Sequence, residues 1–290
     1  MQKVRKLVIP VAGLGTRMLP ATKSIPKEML PILDKPVIQY VVEEAVKSGI
    51  TDVILVTGAS KRTIEDHFDR NEWLEEFCLR AGKDQAAQTV KEISEMANFI
   101  YVRQKGPYGT GTPVLNCRHL IGDEAFAVVW GDEIFVCPEG KPFLSQLIGV
   151  YEKYGDPVIS AINTDDEGTK KYGIVGGPEK EPGIYEVQSL IEKPGPEAAV
   201  SRVGSLGGYI LPSEIFNILD TMPPVAGREK YLTDAIDILT KQRSVYAKII
   251  DGIHYDTGNK LSWLRTNIEL GLEDREIGGQ LKEYLKNKLG

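Results

Sequence analysis

Residues 7–32 read LVIPVAGLGTRMLPATKSIPKEMLPI, an apolar run that opens into two glycines and then meets three cations, Arg17, Lys23 and Lys27. Such a run, broken by a Gly-rich turn, is where a buried strand hands over to a phosphate-binding loop. Two standard loops fail on their own chemistry. A dinucleotide fingerprint needs a third glycine at position 18 for close packing beneath the pyrophosphate, and Met18 stands there. A Walker A loop needs a lysine followed by a hydroxyl residue, and Gly15-Thr16-Arg17 has neither that lysine nor the spacing. The loop is therefore read from its own residues. Gly13 and Gly15 let backbone N–H groups approach phosphate oxygens closely, and the fork of Arg17 suits the same oxygens. Lys23 and Lys27 strengthen a positive field in a chain whose net charge is -6.

Outward from this loop, apolar runs suited to buried parallel strands alternate with helical patterns: 6–11, 53–58, 99–103, 125–130 and 158–162. Helices are expected at 36–48, with Pro36 at its start and Gly49 at its end, and at 143–154, closed by Gly155. This is the arithmetic of a wound α/β fold, in which ligands collect beyond the carboxyl ends of the strands. Residues 71–97 read as a helical insertion. After Asp165 come shorter strands at 171–177, 184–193 and 207–211, separated by Gly/Pro turns, and they are expected to form a smaller β-rich layer at the ligand edge. Helices at 213–222 and 231–240, a strand at 244–250 and two terminal helices around Trp263 and Tyr284 complete the pattern.

Composition narrows the class. At 290 residues and 42% hydrophobic content the chain can bury a sizeable core. Its acidic balance argues against a general nucleic-acid binder, whose affinity rests on a positive surface. Cys78, Cys117 and Cys137 form no C-x-x-C pair, so free thiols in a reducing cytoplasm are expected, without zinc or disulfides. Lys3, Arg5 and Lys6 before Leu7–Ala12 imitate a signal peptide, but the run is short, contains Pro10 and meets a Gly-rich turn at once. No run approaches the ~20 apolar residues of a membrane span.

Two acids extend the site. Asp132 in VVWGDEIF follows a very apolar strand, where a divalent cation would relieve an otherwise unpartnered carboxylate. Asp256 in HYDTGNK lies between a strand and a helix. Either residue also suits a cap or a turn, and Glu133 is expected to point away from Asp132.

Taken with VRQKGPYGTG, KYGIVGG, LIEKP, LTDAI and HYDTGNKLSWL, the opening loop resembles the bacterial UTP:glucose-1-phosphate uridylyltransferase family, with motifs in order across nearly the whole chain. The resemblance implies one nucleotidyltransferase domain with a wound mixed, mostly parallel sheet. Residues 1–165 would be its nucleotide-binding half, 166–257 its sugar-phosphate half and 258–290 its C-terminal helices. It implies magnesium as cofactor, UTP and a hexose 1-phosphate as partners, and a homo-oligomer, dimer or tetramer. It further implies that Ala12, Gly13, Gly15, Glu28, Gln104 and Gly109 hold the nucleotide, with Gln104 reading the base. Arg17 and Lys27 would hold the triphosphate, Asp132 and Asp256 the magnesium, and Gly173, Glu192 and Lys193 the sugar phosphate, with Arg17, Lys27 and Lys193 taken as catalytic. Adjacent residues such as Glu192 and Lys193 face opposite ways in a strand unless the Pro194 turn twists them. Three departures leave the sugar open: Thr112 for a usual His, Gly208 for a usual Arg and Tyr231 for a usual Gln. A glucose-1-phosphate thymidylyltransferase is the nearest alternative, then an enzyme for another hexose 1-phosphate, and, further off, a non-catalytic sugar-nucleotide sensor.

Overall fold

In a computed structural model, residues 3–107, 109–222 and 229–289 are described; Tyr108 of the VRQKGPYGTG motif lies outside them. An eleven-stranded sheet organises the chain. Its main path runs Glu179–Glu181, Ile184–Glu186, Tyr246–Ile249, Val158–Asn163, Val203–Leu211, Phe126–Val129, Lys6–Pro10, Asp52–Thr57 and Asn98–Arg103. Lys6–Pro10 is parallel to both Asp52–Thr57 and Phe126–Val129, and Asp52–Thr57 to Asn98–Arg103, as the apolar runs predict. Side chains of the first strand alternate between two cores: Val8 packs on one face with Ile54, Val128 and Phe216, and Leu7 and Ile9 on the other with Val53, Leu55 and Leu147. Emptying one such position, for example Ile9→Ala, costs about 2–5 kcal/mol.

Helix boundaries follow their punctuation. Val37–Lys47 starts after Pro36 and stops at Gly49, whose φ of 89° suits glycine. Phe143–Tyr154 ends on Gly155, left-handed at φ 76°, with its N–H bonded to the Tyr151 carbonyl at 2.8 Å. The insertion forms two helices, Glu72–Arg80 and Asp84–Glu95.

The β-rich half joins the same sheet. Val203–Leu211, fully buried, pairs antiparallel with Phe126–Val129 on one side and Val158–Asn163 on the other, and is longer than the stretch 207–211 because Gly204, Gly207 and Gly208 mask its β character. The single strand expected over 184–193 is two. Ile184–Glu186 pairs with Tyr246–Ile249, then Gln188 N–H bonds to the Gly176 carbonyl at 2.7 Å, and Ser189–Glu192 pairs instead with Gly173–Gly176. A small sheet of Glu133–Val136 with Ile253–Asp256 brings the C-terminal part of the chain to the same edge. Ile134, Tyr255 and Val37 form a third apolar cluster there, against Trp263 of helix Lys260–Glu273.

Candidate functional site

Three adjoining cavities lie beyond the carboxyl ends of the parallel strands. One of about 590 Å³ is lined by the first loop (Ala12, Gly13, Gly15), Lys27, Glu28, Gln104, Gly109 and Asp132. One of about 190 Å³ is lined by Gly173, Glu192, Lys193, Lys171 and Tyr231. The third, about 620 Å³ and polar, is lined by Arg17, Lys170, Lys171, Lys193, Asp256 and Arg265. Glu133 lines all three.

The first cavity is shaped by backbone. Val11 N–H bonds to the Val56 carbonyl and Gln104 N–H to the Thr57 carbonyl, both at 2.9 Å, so the parallel ladder carries Ala12 and Gln104 to the rim. Gly109 has φ 130°, and a Cβ there would lie 2.4 Å from the Lys230 carbonyl oxygen, so only glycine fits. Glu28 and Lys61 form a buried ion pair at 2.9 Å, exposed 1% and 3%. Burial pushes the Glu28 carboxyl above its ordinary range, against the pull of Lys61 and Lys27.

At the junction, Lys27 Nζ lies 2.5 Å from Asp132 Oδ2. Burial alone would lower the Lys27 pKa; Asp132 first, then Glu28 and Asp256, outweigh it and hold the ammonium above its ordinary value. Asp132 and Asp256 converge although 123 positions separate them: a Cβ on Gly258 would lie 2.9 Å from Asp256 Oδ1 and 3.2 Å from Asp132 Oδ2. Thr257 ties the two segments by donating from N–H and Oγ1 to the Asp132 carbonyl at 3.1 and 2.8 Å. Among the described residues no group of three or more His, Cys, Asp or Glu side chains forms a metal cluster. Two carboxylates open to phosphate oxygens and water nonetheless fit the donor set that magnesium takes.

In the second cavity, Lys193 resolves the conflict with strand alternation. The strand ends at Glu192, and Lys193 has φ 47°, a left-handed conformation rare outside glycine, which turns its side chain back beside Glu192, Nζ to Oε1 3.0 Å. A Cβ on Gly173 would touch Glu192 Oε2 at 3.4 Å, so the absent side chain leaves this carboxylate accessible. Thr233 Oγ1, also on this cavity, is buried and finds no hydrogen-bond partner among the described residues.

Several expectations shift. Arg17 sits with Asp256 and Lys193 in the third cavity, not with Lys27 in the first; it is carried on the short helical turn Thr16–Met18. Lys23 is exposed and lines none of the three. Glu133 does not leave the site: Asp132 is in a turn and only Glu133 begins the strand, so alternation does not separate them. Glu133 Oε2 accepts from Gly207 N–H at 2.9 Å and faces His254 Nε2 at 3.3 Å. Of the three departures, Gly208 faces the apolar side of the sheet, where a Cβ would lie 2.2 Å from Phe143, and Thr112 is buried at 4% exposure outside the cavity linings. Only Tyr231 lines the second cavity. Sequence reasoning missed Lys61, Lys171, Tyr172 and Arg265; the adjacency of Lys171 and Tyr172 to Gly173 was the one available signal.

The sequence profile of the family described as Nucleotidyl transferase matches residues 6–271. A UTP–glucose-1-phosphate uridylyltransferase of Bacillus subtilis strain 168, YngB, is 46% identical over 286 residues, covering 99% of this chain and 96% of its own. The fold is similar to a UTP-bound UGPase from Acinetobacter baumannii at TM-score 0.90 and 38% identity, over 99% of this chain and 100% of the other. It is similar also to a UDP-glucose pyrophosphorylase complexed with UDP-glucose at TM-score 0.85 and 36% identity, over 93% and 100%.

Proposed function

This chain belongs to the nucleotidyl transferase family, among its UTP–glucose-1-phosphate uridylyltransferases, and from that premise we propose that it transfers the uridylyl group of UTP to glucose 1-phosphate. The products are UDP-glucose and pyrophosphate. The observation that carries the reading is the convergence of Asp132, on the glycine-lined cavity, with Asp256, which shares the third cavity with Lys193 and Arg17.

UTP occupies the first cavity, its uracil read by Gln104, which can both donate and accept, and its chain running over Gly13 and Gly15. Glu192 accepts from paired sugar hydroxyls, and Lys193 holds the sugar phosphate. An oxygen of that phosphate attacks the α-phosphorus in line, and the bond from this phosphorus to the bridging oxygen of the β-phosphate breaks, so pyrophosphate leaves with the electron pair. Lys27 from the first cavity and Arg17 from the adjoining third balance the charge that grows on it. Asp132 and Asp256 would hold magnesium, which supplies positive charge between two mutually repelling phosphates. For that, Lys27 must release Asp132 and turn to the triphosphate.

Pyrophosphate release across a panel of sugar 1-phosphates and nucleoside triphosphates tests the reading. UTP with glucose 1-phosphate should lead. CTP should trail by about ten- to a hundredfold, because cytosine exchanges donor and acceptor at N3 and at its 4-position, leaving unmade the bonds of a Gln104 amide held in the orientation that suits uracil. Preference for dTTP would favour a thymidylyltransferase, and no turnover with any pair a sensor. A second reading, another hexose 1-phosphate, is favoured by Tyr231 in the second cavity. Among the described residues no helix is long and apolar enough to cross a membrane. The proposal places the enzyme in the cytoplasm as a homo-oligomer, dimer or tetramer. Its location is supported by the three free cysteines, and light scattering checks the assembly.

A further inference from the structure

Behind the first cavity lies a charge that the transfer reaction does not use. Lys61 is buried at 3% exposure in the turn after strand Asp52–Thr57, and its ammonium donates to Glu28 Oε2 at 2.9 Å. The turn itself is fixed. Lys61 N–H bonds to the Gly58 carbonyl at 3.2 Å, and Ile64 N–H to the Lys61 carbonyl at 3.0 Å. A Cβ on Gly58 would lie 3.7–3.8 Å from Ala12, so this turn packs directly under the glycine-lined loop. Glu28 lines the cavity while Lys61 is outside its lining.

Stability does not explain the pair. Removing two ions from water costs several kcal/mol each, and apolar replacements of a buried pair are often neutral or stabilising. The other cation near Glu28, Lys27, is held by Asp132 at 2.5 Å and has its own task at the triphosphate. Glu28 therefore has one cation that stays with it through the reaction.

We propose that Lys61 is a positioning residue for nucleotide recognition, fixing the Glu28 carboxylate from behind the cavity wall so that Glu28 accepts a hydrogen bond from the bound nucleotide. The inference rests on the nucleotide occupying the first cavity, as in the function proposed above. The ribose hydroxyls are the donors of UTP with the matching chemistry, since the base's N3–H is the donor that Gln104 accepts from. A carboxylate without Lys61 would take up a proton or turn away, and either change costs the acceptor.

Full-length Lys61→Met, Lys61→Arg and the double variant Glu28→Gln/Lys61→Met separate this from a structural role. Lys61→Met should raise KM for UTP about tenfold or more, with kcat at saturation within about threefold and KM for glucose 1-phosphate unmoved. Lys61→Arg should restore UTP affinity. The double variant, with no uncompensated buried charge, should regain the melting temperature lost in Lys61→Met yet keep the raised KM. Should Lys61→Met not fold, the double variant is compared with Glu28→Gln alone: an equal KM for UTP is expected if Lys61 acts only through Glu28, and a further rise in the double variant would overturn the proposal. Recovery of KM together with stability, or an unchanged KM for UTP in any folded Lys61→Met preparation, would overturn the proposal. UTP titration by calorimetry on the same proteins reads Lys61 separately from catalysis: a wild type that binds UTP yet releases no pyrophosphate when magnesium and sugar 1-phosphates are then added contradicts the transferase reading and leaves this comparison intact.

Discussion

The nucleotide cavity and the sugar cavity meet at Glu133 but are built by different means. The first is made largely from backbone: a parallel ladder delivers Ala12 and Gln104, and Gly109 occupies a conformation that only glycine takes without strain. The second is made from side chains on a branch of the sheet, held by the bend at Lys193 and bordered by Tyr231. A backbone-built wall tolerates few substitutions and varies little in what it admits. A wall of side chains can change its ligand by single replacements. This difference predicts which mutations abolish transfer and which only redirect it.

The junction should be most sensitive. Asp256→Asn or Asp132→Asn is expected to lower kcat by roughly 10²–10⁴-fold in steady-state assays, because neutral amides bind magnesium poorly where charge neutralisation dominates. The two should part in thermal melts. Asp256 is exposed and its replacement is nearly neutral, whereas Asp132→Asn strips Lys27 of its 2.5 Å partner and lowers Tm. Next, Lys193→Ala should raise KM for the sugar 1-phosphate about ten- to a hundredfold and leave UTP binding by calorimetry unchanged. If UTP binding falls equally, the two walls do not divide the substrates. On the backbone side, Gly109→Ala should cost about 1–3 kcal/mol in denaturant melts and weaken UTP binding, with glucose 1-phosphate KM moving less. The smallest effect is expected from Tyr231→Gln, a change of less than about tenfold in the preference among hexose 1-phosphates. Thr112→Ser should leave that preference unchanged; a shift there would break the assignment of Tyr231 as the one departure at the sugar.

The parts legible in the sequence are those governed by local patterns. The apolar runs place the parallel strands within a residue or so, and Pro36, Gly49 and Gly155 bound their helices as their conformations require. The glycine loop and the acids after apolar strands mark the cleft for the same reason. What was not legible depends on partners distant along the chain. Ile184–Glu186 and Ser189–Glu192 look like one strand because nothing local records that the first pairs with Tyr246–Ile249 and the second with Gly173–Gly176. Glu133 is expected to point away from Asp132 because neighbours in a strand alternate, whereas Asp132 lies in a turn and only Glu133 begins the strand. Lys61 looks like any loop lysine until Glu28 is found against it, and a lysine's burial has no local signature.

In the proposed reaction two carboxylates far apart in sequence act together on the α-phosphate. A crystal structure with magnesium and UDP-glucose tests it most directly. One six-coordinate ion is expected, with oxygens of both Asp132 and Asp256 at about 2.0–2.1 Å and Lys27 moved from Asp132 toward phosphate. An ion bound by only one of the two aspartates, or held elsewhere in the cleft while Lys27 stays on Asp132, would contradict it.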